Sequence, residues 1–188
     1  RCKSRDGVFD LVTKRFLVDN EMKSIIWEYT VDEGNSVDKN ILSFLVKWQR
    51  YKIKMERLAD YKRENIKFMQ ENRNEEGVVS LPSGLQYEVL KKGRGRMTPK
   101  ATDRVKVHYH GTLIDGTVFD SSVDRGEPII FALTQVIPGW TEALQLMTVG
   151  SKYRLYIPQT LGYGSQSTGN IPPYSTLIFE VELLGIEK

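Results

Sequence analysis

A single cysteine, Cys2, in 188 residues rules out an internal disulfide and a cysteine-based zinc site. No apolar run approaches the length that crosses a bilayer, and no signal-peptide h-region is visible, so a leader, if the protein is exported, is expected to have been removed. Charge of one sign is scarce too. The 27 Lys and Arg residues against 24 Asp and Glu leave a net +3, and acidic residues interleave with the basic ones, which argues against a nucleic-acid partner. Neither a Gly-x-Ser-x-Gly elbow nor a phosphate-loop pattern occurs. The two histidines, His108 and His110, share one face of a strand at i, i+2 spacing, but no acidic or sulfur ligand stands near them in sequence. They are expected to face solvent and to hold no metal.

What is present suits a soluble chain with one sizeable core and an appendage, at 40% hydrophobic and 27% charged residues. Cys2 heads a polar tether, Lys3-Ser4-Arg5-Asp6, and reads as an incidental thiol or, alternatively, as a lipid-anchoring residue of a secreted protein. Clusters such as Val8-Phe9, Phe16-Leu17-Val18 and Ile25-Ile26-Trp27 predict one or two short helices, and a turn follows at Thr30 to Ser36. From Val37 to Asn74 neither glycine nor proline interrupts. Ile41, Phe44, Trp48, Tyr51, Met55 and Leu58 recur there at alternating spacings of three and four, the pattern of a long amphipathic helix with a short coiled-coil seam. Such a helix must project or pack on another, so a monomer and a helix-mediated homodimer both stay open.

Leu81-Pro82-Ser83-Gly84 marks a junction between a helical region, residues 1–80, and a second domain, residues 81–188. Beyond it the hydrophobic period becomes two: Leu85, Tyr87 and Val89; then Val105, Val107 and Tyr109; then Tyr153, Leu155 and Ile157; then Leu177, Phe179, Val181 and Leu183. Asp115-Gly116 is a hairpin signal, and Lys91 to Arg96 a basic, flexible loop. One short helix opens at Pro138-Gly139-Trp140 and places Trp140, Ala143, Leu144 and Met147 on one face. The fold class is α+β, an antiparallel sheet whose apolar face is covered by that helix.

The remaining candidate chemistry is an apolar and aromatic set with few polar groups: Tyr109, Phe119, Asp120, Arg125, Val136, Ile137, Trp140, Tyr163, Ile171 and Phe179. A concave site with an apolar lining and a small number of oriented polar groups is what a small-ligand or peptide pocket requires. The motifs Val107-His108-Tyr109, Asp115-Gly116, Phe119-Asp120-Ser121-Ser122, Arg125-Gly126, Val136-Ile137-x-Gly139-Trp140, Tyr163-Gly164, Ile171-Pro172-Pro173 and Leu177-x-Phe179-x-Val181-Glu182-Leu183 match the order and spacing of one family. From about Leu81 onward the chain resembles the FKBP-type peptidyl-prolyl cis/trans isomerases, and with its preceding long helix it is similar to their macrophage infectivity potentiator-like branch.

That resemblance implies a twisted antiparallel sheet wrapped around the helix that starts at Trp140, with a pocket between them. It implies that Trp140 floors the pocket, that Tyr109, Phe119 and Phe179 wall it, and that Val136 and Ile137 rim it, with Ile129 and Ile171 also in contact with substrate. It further implies that Asp120, oriented by Tyr109 and Arg125, meets the substrate carbonyl region, and that Tyr163 donates a hydrogen bond to a ligand carbonyl. The implied activity is peptidyl-prolyl isomerisation on proline-containing polypeptides, without a cofactor and with macrolide-type compounds as candidate ligands. A secretory or periplasmic setting, with Cys2 as a candidate anchor, is the expected location; a cytoplasmic one is the alternative. The competing class is a binding module in which the long helix grips unfolded chains.

Overall fold

A computed structural model describes residues 39–187, so Cys2 and the short helices expected before Tyr29 lie outside the described residues. Helix α1, Lys39–Asn72, occupies the stretch free of glycine and proline. Its chain then turns through Gly77, whose φ of +83° lies in the left-handed region where glycine is favoured. The helix stops at Asn72, two residues short of the end of that stretch, and Glu75-Glu76-Gly77 belongs to the connecting turn.

Seven strands follow: β1 Val78–Ser80, β2 Gln86–Lys91, β3 Arg104–Thr112, β4 Val118–Ser121, β5 Ile129–Ala132, β6 Lys152–Ile157 and β7 Leu177–Glu187. They form one antiparallel sheet in the order β1-β2-β6-β7-β3-β4. The free edge of β3 is shared, its first half pairing with β5 and its second half with β4. Two short helices interrupt the strands, α2 at Ser122–Arg125 and α3 at Pro138–Leu144. The chain divides into two compact units, Arg1–Lys54 and Met55–Lys188, with Leu81 inside the second, between β1 and β2.

The period-two pattern puts Val105, Val107 and Tyr109 of β3, Leu155 and Ile157 of β6, and Leu177, Phe179, Val181 and Leu183 of β7 on the concave face. Helix α3 closes that face with Trp140, Ala143 and Leu144, joined by Met147 just beyond it, all buried. Contact this close needs Gly139, because a Cβ there would stand 2.5 Å from Cγ2 of Ile157. At ~25 cal/mol per Å² of apolar surface, burial of this layer is the dominant stabilising contribution.

The opposite face is not simply solvated. Across β2, β6 and β7, Glu88, Arg154 and Glu180 stand in register, and Arg154 reaches both carboxylates at 3.0 and 2.8 Å. Next to this row the turns of α1 after Met55 cover Tyr156 and Gln86, which the alternation alone would leave exposed. Phe68 meets the Tyr156 ring at 6.1 Å, and Asn72 Nδ2 donates to Gln86 Oε1 at 2.8 Å. Gln86 Nε2 in turn donates to the carbonyl of Met69 at 2.8 Å.

Candidate functional site

The site is assembled where the sheet curls away from the start of α3. Pro138 occupies the first turn of that helix, where its missing N–H is no loss, and Ile137 caps it in an extended conformation. This geometry delivers Trp140 to the middle of an aromatic cluster. Its ring meets Tyr109, Phe131 and Phe179 edge-on, with centroids 5.3, 5.5 and 5.2 Å away. The indole Nε1 is buried without a hydrogen-bond partner among the described residues, a polar cost that the aromatic packing must outweigh.

Above the indole lies a cavity of about 570 Å³, within the range of small-ligand sites. Phe119, Phe179 and Tyr109 wall it, Val136 and Ile137 form one rim, and Tyr163 and Ile171 form another. The Phe119 and Phe179 rings meet edge-on at 5.3 Å, directly over Gly111. A Cβ on Gly111 would stand 2.7 Å from Phe119 Cε2 and 2.9 Å from Phe179 Cε1, so the absent side chain makes room for the wall.

The polar groups gather at one end. Asp120, on β4, accepts hydrogen bonds from the Tyr109 hydroxyl and from Arg125 Nη1, while Arg125 Nη2 also donates to the Tyr109 oxygen at 3.0 Å. Partial burial opposes ionisation of Asp120, but the Tyr109 and Arg125 hydrogen bonds and the guanidinium charge outweigh it and hold the carboxyl below its ordinary range. For Tyr109, burial and then the hydrogen bond to Asp120 push the phenol up. Arg125 is held firmly protonated, chiefly by Asp120 and next by Tyr109. At neutral pH the group is therefore a carboxylate, a neutral phenol and a guanidinium locked together.

Helix α2 builds that lock. Ser121 caps it by accepting from the Asp124 N–H at 3.1 Å, and Gly126 ends it in the left-handed conformation. Ser122, fully buried, accepts the Tyr109 N–H at 2.8 Å and donates to the Tyr109 carbonyl at 3.3 Å, which fixes the strand residue that carries the phenol. His108 Nδ1 lies 3.0 Å from Ser122 Oγ, and His110 Nδ1 lies 2.9 Å from Ser121 Oγ. The histidines are therefore half-buried braces of α2 rather than freely solvated side chains. No trio of metal-ligating side chains gathers among the described residues.

Of the residues singled out from sequence, Tyr109, Phe119, Asp120, Val136, Ile137, Trp140, Tyr163, Ile171 and Phe179 line the cavity. Arg125, expected to contact substrate, instead holds Asp120 and the Tyr109 hydroxyl through its guanidinium and does not line the cavity. Ile129 does not line it: it sits opposite Val107 at the start of β5 and packs into the core edge, while Phe131, two residues on and on the same strand face, supplies the wall. Phe131, Gln135, Thr168, Gly169 and Asn170 also line the cavity and are not among the residues singled out from sequence. The period-two spacing of Ile129 and Phe131 could have pointed to Phe131; Gln135 and the Thr168-Gly169 turn carry no such signal.

Comparison with known proteins agrees with this geometry. Residues 95–184 match the profile of the FKBP-type peptidyl-prolyl cis-trans isomerases, and residues 9–89 match that of the domain amino-terminal to FKBP-type peptidyl-prolyl isomerase. The chain is 52% identical to the FKBP-type peptidyl-prolyl cis-trans isomerase FkpA of Aeromonas hydrophila over 165 residues, 83% of this chain and 60% of that protein. It is 50% identical to the outer membrane protein MIP of Legionella longbeachae over 122 residues, 64% of this chain and 52% of that protein. The chain thus spans little more than half the length of these relatives. Among solved structures, FkpA from Escherichia coli superposes with a TM-score of 0.69 at 36% identity, over 97% of this chain and 89% of that one. With the helix, the curled sheet and the aromatic cavity all accounted for, this chain belongs to the FKBP-type peptidyl-prolyl cis-trans isomerase family.

Proposed function

We propose that this protein accelerates cis/trans rotation about Xaa-Pro bonds in polypeptides, and that the aromatic cavity over Trp140 is where the proline binds. The observation that carries the reading is the pairing of an apolar, Trp-floored cavity with a single fixed ion-pair cluster at its end. Rotation about the bond faces ~18–20 kcal/mol because resonance makes it partly double, and uncatalysed exchange takes tens to hundreds of seconds. No bond breaks, so no acid-base pair is needed. The planar amide is the more charge-separated form, and a low-polarity cavity withdraws the solvation that favours it. In this reading Trp140, Phe119, Phe179 and Ile171 hold the prolyl ring. The Tyr163 hydroxyl donates to a substrate carbonyl, and the Asp120 carboxylate presents a fixed dipole to the carbonyl that twists. Each 1.36 kcal/mol of preference for the twisted form is worth about tenfold in rate.

The test is a protease-free isomerisation assay on a Xaa-Pro tetrapeptide. A rate no higher than the uncatalysed one would sink the proposal, and Trp140→Leu should abolish most of any acceleration. The same cavity is proposed for macrolide-type ligands, to be read as competitive inhibition in that assay.

A second reading concerns α1. Val46, Tyr51, Ile53 and Met55 are 44, 60, 48 and 44% exposed, an apolar surface that favours homodimerisation through this helix or capture of unfolded chains. Light scattering that shows a monomer at high concentration removes the dimer, and unchanged aggregation of a denatured client removes the capture. We also propose residues 1–80, with α1 ending at Asn72 and strand β1 closing the stretch, as the N-terminal region, 81–188 as the catalytic region, and the cell envelope as the location, which fractionation would check. Its support is the likeness to a relative named as an outer membrane protein. Anchoring through Cys2 would show as incorporation of a labelled fatty acid. None of the described helices is long and apolar enough to cross a membrane.

A further inference from the structure

The chain between Tyr163 and β7 forms one whole rim of the cavity, and it is held from outside the sheet. Along α1 the seam that begins with Trp48, Tyr51, Met55 and Leu58 continues at the same spacing as Lys62, Asn65, Met69 and Asn72. The apolar seam turns polar where the helix meets this rim. Asn65 is 2% exposed, and both ends of its amide are used: Oδ1 accepts the Thr176 N–H at 2.6 Å, and Nδ2 donates to the Tyr61 carbonyl at 2.8 Å. Ser175 Oγ donates to the Pro172 carbonyl at 2.7 Å, so the 2.8 Å contact between Tyr61 and Ser175 leaves Tyr61 as the donor. Lys62 Nζ sits 4.6 Å from the centre of the Tyr174 ring, a cation–π contact.

Tyr174 is the one non-glycine residue with positive φ among the described residues, at 66°. An L side chain holds that conformation only where its surroundings determine it. Its N–H donates to the Gly164 carbonyl at 2.8 Å, which ties the strained turn to the residue next to Tyr163. The same turn leads from Ile171, on the cavity rim, to β7 and Phe179, on the cavity wall.

We infer that Tyr61, Lys62 and Asn65 of α1 are positioning residues that set the cavity rim at Tyr163 and Ile171 and thereby the affinity for the prolyl substrate. This rests on the isomerase reading proposed above. The geometry assigns the helix a part in substrate binding and not in the rotation itself, because none of the three residues lines the cavity. Loss of the clamp should therefore raise KM and leave kcat close to wild type.

The experiment uses the full chain with Tyr61→Phe, Lys62→Met, their double variant and Asn65→Ala. Asn72→Ala is the control, since it deletes a buried helix amide of the same kind that bonds to Gln86 on β2 and not to the rim. Steady-state isomerisation and amide hydrogen exchange are measured on each. We expect KM to rise about threefold or more in the double variant with kcat within about twofold. Amide exchange at Tyr174 and Thr176 should quicken alongside, Lys62→Arg should retain the wild-type KM by keeping its cation, and Asn72→Ala should lose thermal stability at unchanged KM. Asn65→Ala is dispensable if it fails to fold, because the double variant removes no buried amide. An active wild type whose double variant keeps its KM overturns this inference alone, as does a KM rise of equal size in Asn72→Ala. An inactive wild type overturns the isomerase reading and this inference with it.

Discussion

Gly111→Ala is a one-carbon change that should damage the site more than the fold. Gly111 lies in β3 opposite Asp120 on one side and Phe179 on the other, and its φ is not positive, so alanine is allowed by the backbone. The added Cβ would stand 2.7 and 2.8 Å from Phe119 Cε2 and Cζ and 2.9 Å from Phe179 Cε1, well inside contact distance. Phe179 cannot retreat, because Trp140 is 5.2 Å and Tyr109 6.2 Å behind it, centre to centre. Phe119, half-buried, must swing, or the strand must shift and carry Asp120 with it. Overpacking of this kind costs about 1–3 kcal/mol. Alanine returns about 0.4–1 kcal/mol by restricting the unfolded chain. The net loss of about 1–2 kcal/mol should lower Tm by several degrees and no more. The displaced wall bears on the transition state directly, where ~1.4 kcal/mol is tenfold, so kcat/KM should fall about 10–100-fold. Thermal denaturation and the protease-free assay on the same sample separate the two effects. A variant with wild-type kcat/KM, or one whose activity loss merely tracks unfolding, would refute the argument that the missing Cβ at Gly111 shapes the cavity.

Three further outcomes follow from the contacts around the site. Asp120 is held below its ordinary value of 3.8, so its ion pair contributes at all pH above that value and is lost as pH falls through the lower folded one, while Tyr109 ionises only above its ordinary 10.0. The pH–rate profile should then be free of an Asp120 limb above 3.8; an acid limb above that value which disappears in Asp120→Asn would contradict this. Ser122→Ala strips the partner from the buried Tyr109 N–H and should cost ~1–3 kcal/mol in denaturant unfolding, with reduced activity because the phenol loses its anchor. A chain starting at Leu81 should keep its kcat but show the raised KM expected when Tyr61, Lys62 and Asn65 are gone, and it also loses the amide contacts of Asn65, Met69 and Asn72 and the packing of Phe68, at ~1 kcal/mol each. Calorimetry should place its Tm about 10 °C or more below that of a chain starting at Met55, and equal values would show the helix turns to be dispensable.

Much of this was legible from hydrophobic period alone. The alternation in β3, β6 and β7 and the stripe from Trp140 to Met147 are strong because one face of each element is buried and the other is not. That asymmetry is what a local pattern records. Where both faces are covered the record fails. Gln86 reads as an outward, solvated residue, yet it is 5% exposed, because Asn72 and the Met69 carbonyl come from a helix more than ten residues earlier in the chain. Ile129 fails differently. Its chemistry is right for a pocket and its strand face is right, but the sheet curls, so that only Phe131, farther along β5, reaches Trp140 at 5.5 Å. Period fixes the face of a residue and says nothing about its distance along the curl.

The polar residues follow the same division. Asp120, Arg125 and Tyr109 stand close enough in sequence for β3, a tight hairpin and one turn of helix to bring them together, and local geometry suffices to form their cluster. Ser122 belongs to that local unit as well, although its part, fastening the backbone of Tyr109, leaves no trace in composition. Asn65 and Thr176 are 111 residues apart, and nothing in either neighbourhood marks the other. What the sequence does hold is a conflict: a seam of apolar residues that places Asn65 and Asn72 at positions where Leu would propagate the helix better. A buried amide in such a place is costly unless every donor and acceptor is met. Asn65 has both ends of its amide met, by Thr176 and Tyr61, and Asn72 donates to Gln86. The break in the stripe therefore marks the stretch of α1 that is part of the fold carrying the cavity.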